Sequence, residues 1–239
     1  LTFKPEARKT WETSKESIIN HIKGLVEEVI VDETVAIGIE DTDQCNNFIQ
    51  AAIDHETTYV ALDSETTGLY PRDGHILGIS LCFDGVQGAY INTECFDETT
   101  EVLLQELFTK KTVIFHNAKF DIAFFEYHFN FNFPSIEDTM LLHYLIDENP
   151  GGHGLKPLSI KYTVYGDYEK PMYEWMDTYR KEHGILKADF QWASIPFDVM
   201  KTYAAMDALC TFILFEKFVK IKQNPKLKKV YDNLLIPGT

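Results

Sequence analysis

The chain has 239 residues, 45% of them hydrophobic and 25% charged, an ordinary soluble globular composition with length for one large core or two smaller ones. Its 37 acidic and 22 basic residues leave a formal charge of −15. That argues against a broad polyanion-binding surface, because non-specific nucleic-acid affinity comes from Lys and Arg neutralising phosphates. An enzyme that grips a few nucleotides through metal ions stays open. Four cysteines, Cys45, Cys82, Cys95 and Cys210, show no Cys-x-x-Cys pairing and no zinc-ligand spacing. Cys82 and Cys210 lie in apolar runs, as buried free thiols of a reducing compartment do. The N-terminus, Leu1-Thr2-Phe3-Lys4-Pro5, carries no signal-peptide hydrophobic region, and no apolar run approaches the ~20 residues of a membrane span. A first residue other than Met points to a processed chain or an excised segment.

Residues 1–34 begin polar and turn helical, with Ile18, Ile19, Ile22, Leu25, Val26, Val29 and Ile30 at helical spacing; they read as an appendage packed on the main domain. A short strand over Val35–Ile39 follows, then an amphipathic helix started by Asp41, Thr42 or Asp43 and carrying Phe48, Ile49, Ala52 and Ile53. Tyr59 to Glu65 forms an apolar strand, and Pro71-Arg72-Asp73-Gly74 closes a turn. Two β-rich runs, His75–Phe83 and Gly88–Asn92, flank the hairpin signal Asp84-Gly85, so three successive strands form an antiparallel meander. A helix starts at Thr99, and a strand over Thr112–His116 leads through Asn117 into a helix beginning about Asp121. Beyond Pro134 come a short extended piece, a helix from Asp138 to about Ile146, a Gly151-Gly152-His153-Gly154 loop and a helix near Leu155–Ile160. Residues 166–195 are aromatic, charged and aperiodic; a long helix then runs from about Asp198 to Lys220. The order is that of an α/β protein with a mixed, partly antiparallel sheet flanked by helices.

Period-two geometry puts Asp63 and Glu65 on one face of their strand. Two acids side by side on a mostly buried strand repel, lose hydration and need a compensating cation. The Asp-x-Glu pattern also occurs at Asp54/Glu56 and Asp167/Glu169, but only the middle copy lies on an apolar strand followed by glycine. Asp121 sits near a strand-to-helix junction, where a cap or helix-dipole partner is the ordinary explanation. Tyr203 and Asp207 lie one helical turn apart on a stripe shared with Cys210 and Leu214, and a charge there needs a partner; a core Asp–Tyr hydrogen bond is the bland alternative. Four carboxylates from three segments could converge. All-oxygen ligands suit Mg²⁺ or Mn²⁺ rather than zinc, and two such ions about 3.5–4 Å apart serve in-line phosphodiester cleavage. Hydrolysis of a phosphodiester is the leading inference.

Leu62-Asp63-Ser64-Glu65-Thr66-Thr67-Gly68-Leu69, His116-Asn117-Ala118-Lys119-Phe120-Asp121 and Tyr203-Ala204-Ala205-Met206-Asp207-Ala208 resemble, in order, the three motifs of the DEDDy 3′–5′ exonucleases. The resemblance is nearest to the proofreading domain of family A (DNA polymerase I-like) DNA polymerases. Asp138-Thr139-Met140-Leu141-Leu142 and Gly154-Leu155-Lys156-Pro157-Leu158 look like its connecting helices. The likeness spans residues 35–236. It implies a ribonuclease H-like fold, two divalent metal ions (Mg²⁺ or Mn²⁺) and release of nucleoside 5′-monophosphates from DNA 3′ ends. Asp63, Glu65 and Asp207 would hold the inner metal, Asp121 would serve the second, partly through water, and Tyr203 would orient the attacking water. Thr66 and Leu69 match contacts to the terminal nucleotide, and Asn117 matches a residue near the substrate strand. Turn polarity, core packing and a junction cap are the structural alternatives for those three.

The family's aromatic contact upstream of the third motif has no clean match; Tyr173, Trp175 and Phe190 are candidates, since stacking on bases suits any of them. Residues 237–239 read as a tail at the junction where a polymerase domain normally begins, so the chain is expected to be an excised or a stand-alone exonuclease. Expected partners are a DNA 3′ end, single-stranded or frayed, and a DNA polymerase domain or other replication protein; no membrane is expected. The expected location is the cytoplasm of a bacterial cell or phage-infected host. The rivals are an RNA-trimming exoribonuclease of the same superfamily and a non-catalytic module that binds a 3′ end or a polymerase. His116 and His153 lack a second histidine at ligand spacing and read as strand-end and loop residues. The lysines from Lys217 to Lys229 read as a solvated helix face.

Overall fold

A computed structural model describes residues 34–149 and 151–238. The expected helical appendage, but for Thr34, therefore lies outside the described residues, as does Thr239. Among the described residues six strands form one sheet: β1 (Ala36–Ile39), β2 (Tyr59–Thr66), β3 (Ile76–Cys82), β4 (Gly88–Asn92), β5 (Thr112–Phe115) and β6 (Ile136–Asp138), in spatial order β1-β4-β3-β2-β5-β6. The β2-β3-β4 meander is antiparallel, while β1 pairs parallel to β4, and β5 pairs parallel to β2 and β6. Strands β3 and β2 lie at the centre, and β5 and β6 are each reached through a helical crossover, as parallel pairing requires.

The helices are α1 (Thr42–Asp54), α2 (Glu98–Lys110), α3 (Ala118–Phe129), α4 (Thr139–Ile146), α5 (Leu155–Tyr162), α6 (Lys170–His183), α7 (Phe197–Phe218) and α8 (Pro225–Val230). Asp41 caps α1 by accepting from the Gln44 amide, and Asp97 with Thr100 forms a capping box on α2. Helix α3 begins at Ala118, three residues before the expected Asp121 start. The reason lies elsewhere in the chain. Asp138 accepts from the Asn117 and Ala118 amides (3.3 and 2.8 Å) as well as from Met140 and Leu141 (2.8 and 3.2 Å), so one carboxylate serves the starts of α3 and α4. The Asp138 amide in turn donates to the buried Tyr231 hydroxyl at 2.7 Å. The unreadable stretch contains α6, which breaks at Gly184 in the left-handed region (φ 65°), and two short 3₁₀ turns.

Alternation along the strands sends side chains into two cores, one per sheet face. Val60, Leu62, Ile79, Leu81, Val113 and Phe115 face α1, α2 and α3. Ala61, Tyr90 and Ile114 face the other way, onto α7. Helix α7 is almost wholly buried from Tyr203 to Phe212, as a helix is when sheet and helices cover it together. All four cysteines are free and buried. Among the described residues no helix is long and apolar enough to cross a membrane.

What sets α7 so close to the sheet is Gly88: a Cβ there would lie 2.0 Å from the Ala205 carbonyl oxygen, a distance only the bare backbone of glycine avoids. We expect Gly88→Ala to push α7 off the sheet and to destabilise the protein by about 2 kcal/mol or more, as overpacking does, measured by urea denaturation. Asp207 rides on α7, so nuclease activity should fall with it.

Candidate active site

The strand β2 presents Asp63 and Glu65 on the face covered by α7 and Ser64 on the opposite face. From α7, Asp207 completes a group: one oxygen from each of Asp63, Glu65 and Asp207 lies within 4.8 Å of the others. Glu65 and Asp207 are buried and Asp63 is half-buried. The register slips between Glu65 and Thr66, so that Glu65 pairs with Gly78 but Thr66 with Ile76. This bulge ends the strand directly after the second acid, as bulges beside functional sites do.

Asp121 reaches the same strand from the other core. Its Oδ1 accepts from the Ser64 hydroxyl at 2.6 Å and from the Ser64 amide at 3.0 Å. It is thus pinned to the residue between the two β2 acids and stands apart from the group of three. It is close enough to raise the proton affinity of both Asp63 and Glu65. Its position in the first turn of α3 is the dipole-compatible one anticipated for it, and its carboxylate also bonds across to Ser64 of β2.

Burial above all pushes Asp63, Glu65 and Asp121 up. Desolvation and then the neighbouring Asp121, Asp207 and Glu65 charges raise Asp63 well above the carboxylate range. Glu65 is pushed to about 8 by burial and by Asp207, against the opposing pull of Lys156. Asp121 rises to about 7 through burial, with its Ser64 hydrogen bonds holding it back. Four acids in one low-dielectric corner form an arrangement that calls for positive charge.

Two residues that sequence reasoning passed over meet Asp207. The Lys156 ammonium pairs with Asp207 Oδ1, and the Tyr168 hydroxyl donates to the same oxygen at 2.5 Å. The only signal was a lysine inside the apolar segment Leu155-Lys156-Pro157-Leu158. The Tyr203 ring lies under the ammonium, 4.1 Å from Nζ to centroid. Burial and the Asp207 charge hold the Tyr203 phenol well above its usual value, so it stays protonated and can donate.

Beyond the acids a cleft of about 330 Å³ is lined by Ser64 to Leu69, Phe120 and Trp192. Leu69 is 76% exposed, which removes core packing as its explanation. The Thr66 hydroxyl donates to the Gly68 carbonyl at 2.8 Å, a turn contact. Asn117 adopts the left-handed region (φ 75°) and makes no side-chain cap bond, so the junction-cap alternative does not hold for it. Of the aromatic candidates, Tyr173 is 43% exposed, while Trp175 and Phe190 pack against the core. Trp192, absent from those candidates, is the one in the cleft. His153 is buried and His116 half-buried; His153 bonds His143 (2.8 Å between Nδ1 atoms) and neither joins the acid group. Lys222 pairs with Glu137 at 2.7 Å, while Lys217, Lys220, Lys226, Lys228 and Lys229 are exposed.

The chain and its fold have known counterparts. Residues 36–223 match the family model for the 3′–5′ exonuclease of family A DNA polymerases. A DNA polymerase of Escherichia phage T5 is 39% identical over the whole chain, which spans 29% of that protein. DNA polymerase I of Borreliella burgdorferi is 28% identical over 75% of the chain, which spans 19% of that protein. The chain thus covers less than a third of these relatives. Among solved structures, Escherichia coli RNase D, an exoribonuclease involved in structured RNA processing, superposes with a TM-score of 0.57 at 19% identity, covering 78% of this chain and 44% of that one. Brucella melitensis NrnC with bound Mg²⁺ gives 0.54 at 20% identity, covering 82% and 85%. At such identities the structures speak for a shared ribonuclease H-like fold. With the ordered motifs and their placement on that fold, the chain belongs to the 3′–5′ exonuclease family of DNA polymerase I-like proteins.

Proposed function

We propose that the chain is a proofreading-type 3′–5′ exodeoxyribonuclease that removes single nucleotides from a DNA 3′ end. The observation that carries this is the convergence of Asp63, Glu65 and Asp207 within 4.8 Å, on a chain related to DNA polymerases. The donor set is all carboxylate, and burial and then the neighbouring acids raise Asp63 and Glu65, so the set fits hard divalent cations, Mg²⁺ or Mn²⁺. Asp63, Glu65 and Asp207 would hold one ion and Asp121, from across the strand, would serve a second. Such ions lower the pKa of water and stabilise charge on a phosphate undergoing in-line attack.

The protein's own groups do the rest. The Tyr203 hydroxyl donates to and orients the attacking water. Leu69, exposed at the mouth of the cleft, wedges against the terminal base, and Trp192 and Phe120 offer faces on which bases stack. Thr66, bound to Gly68, shapes the turn that presents Leu69. Asn117 stands near the substrate strand. Water attacks phosphorus, the bond to the preceding 3′ oxygen breaks, and a nucleoside 5′-monophosphate leaves. The polymerase-like relatives support a linked or partner polymerase working in a bacterial or phage-infected cytoplasm.

Incubation with 5′-labelled DNA and RNA oligonucleotides and Mg²⁺, with and without EDTA, tests the reading. A ladder shortening from the DNA 3′ end and abolished by EDTA is expected; intact DNA, or shortening of RNA alone, would sink it. Asp63→Ala should cut turnover at least about 100-fold with the circular dichroism unchanged, and Tyr203→Phe should cost less, since positioning a water is worth less than holding charge. Asp207→Ala should likewise abolish turnover while the fold is retained, since it removes a buried charge that repels Asp63 and Glu65. Retention of near-normal turnover in Asp63→Ala would overturn the metal assignment.

The raised acids also predict a pH dependence. Glu65 and Asp121 bind protons more tightly folded than unfolded, so their contribution to stability is complete below the unfolded values near pH 4 and is lost as pH rises through about 7 and 8. In EDTA the melting temperature should fall between pH 5 and 8. Saturating Mg²⁺, which favours the ionised acids, should remove that fall; an identical decline with and without Mg²⁺ would contradict it.

A further inference from the structure

Lys156 is placed where a lysine is unfavourable by every local rule. It occupies the first turn of α5, where a cation opposes the helix dipole, and its side chain is only 20% exposed. The offset is tertiary. Its ammonium pairs with Asp207 Oδ1, lies 3.1 Å from the Tyr168 hydroxyl and rests over the Tyr203 and Tyr168 rings, 4.1 and 4.6 Å from their centroids. Asp63 and Glu65 also act on it. Several other ion pairs of the protein, such as Lys110–Glu106 and Lys201–Asp198, join neighbours on one helix surface. This one links two helices inside the acid group.

We propose that Lys156 is the protein's own competing cation in the carboxylate group: a divalent ion entering beside Asp63 and Glu65 must drive the ammonium off Asp207, so that Lys156 sets how much metal the enzyme needs. This rests on the reading of Asp63, Glu65 and Asp207 as metal ligands. The physical ground is that charges of +1 and +2 sharing one carboxylate in a partly desolvated site repel, whereas the acids alone attract the metal without a rival. The aromatic rings beside the ammonium give it a place to stay once displaced, since a cation over a ring face is stabilised there.

The test is metal binding, read apart from catalysis. Mn²⁺ is titrated by calorimetry and by thermal shift into the parent chain, Lys156→Met, Lys156→Gln and Tyr168→Phe. Either lysine variant should lower the Mn²⁺ midpoint at least about tenfold, the loss of one competing unit charge at close range. Tyr168→Phe, which removes a hydrogen bond from the same oxygen but no charge, should move the midpoint far less. In the parent, the ¹⁵N signal of the Lys156 ammonium should shift over the Mg²⁺ range in which binding occurs. A midpoint that is unchanged or higher without the lysine overturns the proposal, as does a Tyr168→Phe shift as large as the lysine variants', or an ammonium signal indifferent to Mg²⁺. A parent chain that shows no metal response at all overturns the carboxylate metal site itself, and the competition with it; binding with a midpoint independent of Lys156 overturns the competition alone.

Discussion

Repulsion among buried carboxylates is the constraint on which the rest of the site depends. Asp63 and Glu65 are forced onto one face by the pleat of β2, Asp207 descends on them from α7, and Asp121 closes in through Ser64. No group of four acids in a low-dielectric corner is stable by itself. The protein answers in two ways. Hydrogen bonds to Ser64 and Tyr168 share out the negative charge, and Lys156 supplies a resident positive one. An uncompensated cluster of this kind attracts cations, which is the property the proposed phosphodiester hydrolysis needs.

The scaffold makes this concentration of charge possible by surrounding it with two cores. On one face Val60 and Leu62 lock β2 against α1, α2 and α3; on the other Ala61 leaves room for α7 to approach. Small residues do the spacing. Gly88 admits the Ala205 carbonyl, and Gly78, opposite Glu65, admits the Tyr90 ring. Asp138 and Tyr231 then bind the starts of α3 and α4 to the end of the chain, which steadies the helix carrying Asp121. A site of mutually repelling groups stays in place because each is mounted on an element held by apolar packing elsewhere.

The cleft next to the acids is of a different character. Exposed Leu69 at its mouth and the Trp192 and Phe120 side chains in its lining bring apolar surface up against the charged centre. That pairing suits a substrate with a charged backbone and flat apolar bases. On the function proposed above, a chain of charge −15 handles nucleic acid through cations held at one point and through stacking, not through a basic surface.

Much of this was legible in the order of residues. The strand ending in Asp63 and Glu65, the antiparallel meander and the long helix with Tyr203 and Asp207 in register all follow from periodicities of two and about 3.6, which act over a few neighbouring residues. So does the choice of Asp207 as the unusual charge, since it sits in an apolar helix. The start of α3 was misplaced because its stabilising carboxylate, Asp138, lies 20 residues beyond Ala118. Lys156 and Tyr168 were not assigned to the site for the same reason: they meet Asp207 across separations of 51 and 39 residues. Trp192 lay in an aperiodic stretch whose facing only packing decides. The sequence by itself determined which acids are present and which face of its own element each occupies, because those are local matters of backbone geometry. The tertiary structure alone decided that three of them meet, that the fourth comes from the opposite core, and that a lysine stands among them, because each of those depends on where distant segments are brought by burial.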